Sequence, residues 1–314
     1  MDHIKPQLIN LWRTSFNDSE TFIQLFFDRV YKPENVLYRE KEGRIISALH
    51  MLPYTMTFYG KEISVCYIYA ACTHPSERGN GYMHQLIQQA FQVMEQRKVA
   101  LTVIIPAEPS LFDYYRSLGY TEAFDYSEMC YIRPLENVEE SNLLVVPPDV
   151  PSLMSLYHFF DQKHRERSCY VLQTYEDFIT ILRDLQESGG QMLAALDPKE
   201  KVVGMIFFYS NPELLYVKEL FYEDQSIKLL LLQEATLQNN VSKALYRTPA
   251  IGINNHRLGM ARIIDRHRLI HLWSSTHANS SFNQEQLKEM DTPSLTQLLL
   301  GYPSQEAYMS LMLD

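Results

Sequence analysis

The stretch from Ile63 to Met94 constrains this chain more than any other part of it. Residues 63–73 read Ile-Ser-Val-Cys-Tyr-Ile-Tyr-Ala-Ala-Cys-Thr, nearly all apolar, as expected of a central strand buried on both faces. His74-Pro75 ends the run. Arg78-Gly79-Asn80-Gly81 then lead straight into a helical pattern, with Met83, Leu86, Ile87, Ala90, Phe91 and Met94 on one face and Gln85, Gln88, Gln89, Gln92 and Glu95 on the other. Glycines at such a junction let the backbone turn and approach a ligand closely. The helix start presents unpaired N–H groups and a partial positive charge. A strand, a glycine loop and a helix N-terminus in that order make an anion site suited to a pyrophosphate, which assigns Arg78, Gly79, Asn80, Gly81, Tyr82, Met83 and His84 to phosphate binding. Two better-known phosphate motifs do not fit. The chain has no GxxxxGK[ST] segment. The loop also lacks the third glycine, and the acidic residue about twenty positions on, of the dinucleotide fingerprint.

Around this junction the pattern alternates between helix and strand. Residues 4–31 carry helical spacing (Leu8, Leu11, Trp12, Phe16, then Phe22, Leu25, Phe26, Val30), interrupted at Asn17-Asp18-Ser19, with Asp18 the expected cap. Short strands are expected at 36–39, 44–51 and 54–59, with turns at Glu42-Gly43 and Gly60-Lys61. A buried strand at 100–105 leads to a helix from Pro109 to Gly119, then to one or two strands over 122–132. Residues 133–151, with Pro134, Glu136, Glu139, Glu140, Pro147, Pro148 and Pro151, read as a boundary. Beyond it the pattern restarts: helices near 151–166 and 174–188, strands at 191–196, 202–209 and 214–222, and a helix at 226–239. Past about residue 246 come a strand at 259–264 and helices near 266–273 and 292–300. The expected divisions are 1–135, 145–245 and 246–314.

Composition narrows the classes of function. The 314 residues carry 28 Lys and Arg against 38 Asp and Glu, a formal net charge of −10. Nucleic acid, which needs clustered cations, is therefore not an expected partner; the charge serves solubility and is compatible with a cationic substrate. Cys66, Cys72, Cys130 and Cys169 form no CxxC pair, and the histidines show no ligand spacing, so no metal is expected. Sparse cysteines suit a reducing compartment. The first residues, Met1-Asp2-His3-Ile4-Lys5-Pro6, hold no apolar signal core, and no apolar run is long enough to span a bilayer. The expectation is a soluble cytoplasmic protein with no membrane partner.

Two motifs resemble those of one family. The segment from Thr73 through Arg78-Gly79-Asn80-Gly81-Tyr82-Met83 looks like motif A of the GNAT superfamily of acyl-CoA N-acyltransferases, Arg/Gln-x-x-Gly-x-Gly/Ala. Arg78 and Gly81 match, and Met83 stands where Gly or Ala is usual. Phe112-Asp-Tyr-Tyr-Arg-Ser-Leu-Gly-Tyr resembles that family's Tyr-x-x-x-Gly-Phe/Tyr helix end through Tyr115, Gly119 and Tyr120. Phe26-Phe27, the strand 67–73 and Gly259-Met-Ala-Arg-Ile-Ile-Asp are further similar to the enhanced intracellular survival type of acetyltransferase. The resemblance implies an α/β (α+β mixed) chain: a GNAT fold with a central mixed sheet over 1–135, a degenerate GNAT-like unit over 145–245, and a short sterol-carrier-like segment over 246–314. In the second unit the helix start reads Glu223-Asp224-Gln225 with no glycine loop, and those carboxylates would repel a pyrophosphate.

The resemblance also implies acetyl-CoA as cosubstrate and direct attack of a primary amine, of a small molecule or a lysine side chain, on its thioester. Tyr115 takes the role of acid to the leaving thiolate. Cys72 and Thr73 contact the pantetheine arm through their backbones. Glu108, or the terminal carboxylate of Asp314, would serve as the base. A homo-oligomer is a further expectation, since the family forms closed rings. Other functions stay open on the residues alone: a non-catalytic acyl-CoA-binding or regulatory protein that kept motif A, and a lipid-binding module using the last segment.

Overall fold

The computed structural model describes residues 3–134, 142–252, 255–303 and 307–312. In chain order the elements are α1 (Ile4–Ser15), α2 (Glu20–Arg29), β1 (Val36–Lys41), β2 (Arg44–Phe58), β3 (Lys61–Thr73), α3 (Tyr82–Gln96), β4 (Leu101–Ile104), α4 (Pro109–Ser117) and β5 (Thr121–Ile132). They continue as β6 (Leu144–Val146), α5 (Leu153–Arg165), β7 (Val171–Leu172), α6 (Tyr175–Glu187), β8 (Gln191–Leu196), β9 (Val202–Ser210), β10 (Leu215–Tyr222), α7 (Gln225–Gln238) and β11 (Lys243–Pro249). The last are β12 (Asn255–Ile263), α8 (Arg266–Thr276), α9 (Gln284–Glu289) and α10 (Thr292–Leu299). The architecture is mixed α/β. Among the described residues no helix is long and apolar enough to cross a membrane.

Two compact units divide the chain: Met1–Phe124 with Leu258–Ser304, and Asp125–Arg257 with Gln305–Asp314. The segment 246–314, expected to stand by itself as a sterol-carrier-like piece, is thus shared out. Its strand β12 and helices α8–α10 complete the first unit, and Ala307–Met312 joins the second. The reason is burial: Met260, Ala261, Leu295 and Leu299 are each 0% exposed, and so short a segment could not bury them alone. The unit boundary falls inside β5, between Phe124 and Asp125, rather than at the proline-rich stretch near 135–151. Part of that stretch forms β6, antiparallel to β8.

In the first unit β1, β2 and β3 form an antiparallel meander. Helix α3 crosses over to place β4 parallel to β3. On the far side of β4 lies β12, antiparallel, with Met260 opposite Ile104 and Arg262 opposite Thr102. The expected break between two strands at Pro53 is absent, and β2 runs unbroken through it. Proline is tolerated there because β1 has already ended, its last partner being Val36 opposite His50. At the start of α2 the cap is Ser19, whose side chain accepts from Phe22 N–H. Asp18 instead accepts from the Trp12 indole at 2.7 Å. The second unit repeats the same order: an antiparallel β8–β9–β10 meander, then α7, then β11 parallel to β10.

Each face of the first unit's sheet has its own core. Leu49, Met51, Cys66, Ile68 and Ile104 pack under Leu86, Ile87, Ala90 and Phe91 of α3 and Phe112 and Tyr115 of α4. On the other face α1 and α2 close an aromatic box over His50, with Phe26 at 5.0 Å, Trp12 at 6.0 Å and Tyr31 at 6.1 Å between ring centroids. His50 is 3% exposed, and burial lowers its pKa from 6.5 to about 3. Between those two values the unfolded chain binds a proton that the folded chain refuses. Stability from this group is therefore complete above pH 6.5 and falls as pH drops toward 3, by up to about 1.4 kcal/mol per unit. From pH 6.5 to pH 5 the wild type is expected to lose about 2 kcal/mol more than His50→Gln in urea unfolding; equal losses in the two proteins contradict the neutral, desolvated imidazole.

Candidate acyl-transfer site

The site begins where β3 and β4 part. Their parallel pairing covers Val65–Leu101, Cys66–Thr102 and Tyr67–Val103 and then stops, while β3 continues to Thr73. Beyond Tyr67 the β4-facing edge of β3 is open to a ligand that can pair with backbone. A bulge lies within this open stretch. Ala48 faces Cys72 but His50 faces Tyr69, so β3 carries one extra residue, and Ala70 adopts φ +47°. A non-glycine residue at positive φ is strained and is held by its surroundings. The extra residue reverses the parity of the strand's end.

That parity decides which main-chain groups face the opening. His74 N–H donates to Ile46 O at 2.8 Å, so His74 and Cys72 point toward β2, and the alternate residues Ala71 and Thr73 point away from it. Cys72 had been expected to offer its backbone to the pantetheine arm. Its carbonyl instead accepts from Ser47 Oγ at 3.1 Å on the β2 side. Ala71, which sequence reasoning did not single out, shares with Thr73 the side of the strand that faces away from β2. The signal that would have revealed this is the bulge, which no residue type announces.

The thiol of Cys72 is half-buried and faces Ser15 of α1. Burial pushes its pKa up to about 12, with the Ser15 hydroxyl and the Arg78 charge opposing only in part. The thiol of Cys66, in the core, is also pushed up to about 12 by burial. Neither supplies a thiolate nucleophile near neutrality. With a maleimide at pH 7 the exposed Cys130 is expected to react at least about tenfold faster than Cys72, and Cys72→Ser is expected to keep activity. Rapid labelling of Cys72 mapped by mass spectrometry contradicts this.

The loop between β3 and α3 is held from several sides. Arg78 Nε donates to Thr73 O at 3.2 Å and Asn80 Nδ2 to Glu77 O at 3.0 Å. Lys41 from β1 pairs with Glu77 at 2.9 Å. Arg44 Nη2 and His74 Nε2 lie 2.9 Å apart. Gly79 has φ +82° and Gly81 φ +77°. A Cβ at either would meet nothing within 4 Å, so the glycines are needed for their backbone angle and not for space. Gly81 is the N-cap of α3 and no side chain caps it. The first-turn N–H groups of Tyr82, Met83 and His84 have no carbonyl partner within the helix. Arg78, Gly79, Asn80, Gly81 and His84 are exposed, and Tyr82 and Met83 half-buried. All the expected loop residues are thus brought together at the mouth of the opened strands.

The second unit offers a contrast at the equivalent place. There Asp224 is the N-cap of α7, and its carboxylate accepts from Ser226 N–H at 2.8 Å and Ile227 N–H at 3.1 Å. The Ser226 hydroxyl, donating to the same carboxylate at 2.6 Å, and then these N–H groups hold its pKa below the usual carboxylate value. Its own side chain fills the anion position that α3 leaves open.

Tyr115 sits on the inner face of α4, 5% exposed, in the same core as Ile68 and Ile104 where the strands part. Its ring lies 5.2 Å from that of Tyr114 and 5.9 Å from that of Tyr120. Burial pushes its pKa well above 10, so it holds its proton throughout the neutral range. Glu108 is exposed at the residue before α4. Asp314 lies outside the described residues. Among the described residues no cluster of three or more His, Cys, Asp or Glu could hold a metal. An open groove of about 920 Å³ in the second unit is lined by Pro147, Leu153, Leu182, Met192 and Leu193 among others. Its walls are mostly apolar, with Asp149 and Arg183 also on its lining.

Residues 3–123 match the sequence model of the acetyltransferase (GNAT) domain. No curated protein sequence matches the chain. Among solved structures, a GCN5-related N-acetyltransferase from Anabaena variabilis ATCC 29413 aligns with TM-score 0.71 at 17% identity, covering 86% of this chain and 73% of that one. A probable N-acyltransferase from Enterococcus faecalis V583 aligns with TM-score 0.71 at 14% identity, covering 86% and 72%. Eis1 from Mycobacterium abscessus aligns with TM-score 0.61 at 12% identity, covering 80% and 72%. At these identities the likeness is one of fold.

Proposed function

We propose, for a chain whose residues 3–123 match the acetyltransferase (GNAT) domain, that it moves the acetyl group of acetyl-CoA onto a primary amine. The acceptor in this reading is a small molecule or a lysine side chain. The observation that carries it is the pairing of an opened β3 edge with an uncapped, glycine-led helix N-terminus at its mouth. A cofactor with an extended amide-bearing arm and a pyrophosphate at one end suits both parts together. Backbone N–H groups of the Arg78–His84 loop take the pyrophosphate, aided by the α3 dipole. Ala71 and Thr73 offer main-chain groups to the arm as a neighbouring strand would.

The chemistry follows from what remains. A neutral amine attacks the thioester carbonyl, forming the C–N bond as negative charge grows on the carbonyl oxygen. Backbone N–H groups freed from the ladder at the bulge can stabilise that charge. The C–S bond then breaks, and Tyr115 donates its hydroxyl proton to the departing thiolate. The proton lost by the amine passes to water or to Glu108 and from there restores the Tyr115 hydroxyl. Cys72, with its thiol held protonated, takes no covalent part.

The test is to incubate the protein with acetyl-CoA and a panel of primary amines, following free CoA and the acetylated product by mass spectrometry. Stoichiometric CoA and acetyl-amide are expected with at least one amine. Binding of acetyl-CoA without release of CoA across the panel would overturn catalysis and leave a binding protein.

A further inference from the structure

We infer that Arg262, brought into the first unit by β12, is the positioning residue for Tyr115; this rests on the acyl-transfer reading above. Three contacts converge on this one side chain and its backbone. The strand sets Arg262 opposite Thr102 of β4. Its Nη1 donates to Leu118 O at 2.9 Å, the carbonyl of the residue that caps α4. Leu118 N–H in turn donates to Tyr115 O at 3.0 Å. Its guanidinium lies over the Phe91 ring of α3, 4.4 Å from the centroid, and Phe91 lies 5.8 Å from Tyr120. Thr102 closes the circuit, its Oγ1 3.1 Å from Tyr120 Oη and 3.0 Å from Cys66 O. One cation therefore ties the end of the helix that carries Tyr115 to the helix that begins at the phosphate loop.

Gly119 makes room for this arrangement. Its φ is +83°, and a Cβ there would collide with Arg262 Nη1. Any side chain would drive the guanidinium off the Leu118 carbonyl. The second motif's glycine thus serves a contact from a strand far along the chain, as well as the turn after α4.

The side chain is not placed there for ease of packing. Arg262 Nε is buried with no hydrogen-bond partner among the described residues, and burial lowers the group's pKa. An apolar side chain would fill the same space without burying an unpaired donor. What the guanidinium adds is direction: a charged donor aimed at the negative end of α4, fixing the helix's rotation and with it where the Tyr115 hydroxyl points.

Steady-state kinetics on Arg262→Gln, Arg262→Lys, Tyr115→Phe and the Arg262→Gln/Tyr115→Phe double variant test this. Arg262→Gln is expected to lower kcat at least about tenfold with KM for acetyl-CoA within about twofold. Arg262→Lys, which keeps a cationic donor, is expected to recover part of the loss. In the Tyr115→Phe background Arg262→Gln is expected to remove nothing further, because it acts through that hydroxyl. Losses that multiply in the double variant, or an Arg262→Gln protein with unchanged kcat, overturn the role of Arg262 while leaving acyl transfer standing. A wild-type protein that neither binds acetyl-CoA nor releases CoA overturns the acyl-transfer reading itself, and this role with it.

Discussion

Gly81→Asp is expected to weaken acetyl-CoA binding by at least about a hundredfold while leaving the protein folded. The α3 N-terminus is open because Gly81 brings no side chain to it. An aspartate at that position would bring a carboxylate to the start of α3, whereas Asp224 at α7 caps two first-turn N–H groups from an extended backbone. It would set a negative charge beside the donors proposed for the pyrophosphate, against a ligand of the same sign. The φ of +77° costs a non-glycine residue roughly 1–2 kcal/mol. Aspartate tolerates that region better than most residues. Far-UV circular dichroism and the melting temperature should therefore stay near wild type while the Kd rises. Unchanged affinity would mean that the phosphates are held elsewhere.

Tyr115→Phe is expected to lower kcat by about 10²–10⁴-fold, the range of a positioned general acid, with the KM for acetyl-CoA within about threefold. The ring stays, so the core around Ile68, Ile104 and Leu86 stays packed, and only the hydroxyl leaves. Because burial holds the pKa well above 10, Tyr115 remains protonated up to pH 10. The wild-type rate should then show no alkaline fall from this group, and its pH dependence should come from deprotonation of the amine on the acid side. A Tyr115→Phe protein with wild-type kcat would reduce Tyr115 to a packing residue.

The parts of this site that were legible in the sequence are those written in local residue types. Gly79 and Gly81 advertise their positive φ, the apolar run 63–73 its burial, and the 83–94 periodicity its face. Tyr115 and Gly119 stand at a spacing that a resemblance could recognise. What was not legible depends on partners distant in the chain. Nothing near Ala70 announces a bulge, yet the bulge turns Ala71 toward the opening and Cys72 away from it. Nothing near Leu118 announces Arg262, and β12 lies beside β4 only because its apolar face is completed there. The unit boundary inside β5 is silent for a related reason. Prolines and acidic residues mark where a chain is exposed, whereas a strand shared by two compact units carries no break in its pattern. The His50 box was also silent, since a histidine between Leu49 and Met51 reads as readily as a surface residue until α1 and α2 close over it.

The most direct measurement is a calorimetric titration of the whole chain with acetyl-CoA. One molecule bound per chain, with binding abolished by Gly81→Asp and unchanged by Asp224→Asn, is the result expected from an open N-terminus on α3 and a self-capped one on α7. No heat of binding, or a site that survives Gly81→Asp, would contradict the placement of the cofactor on the Arg78–His84 loop.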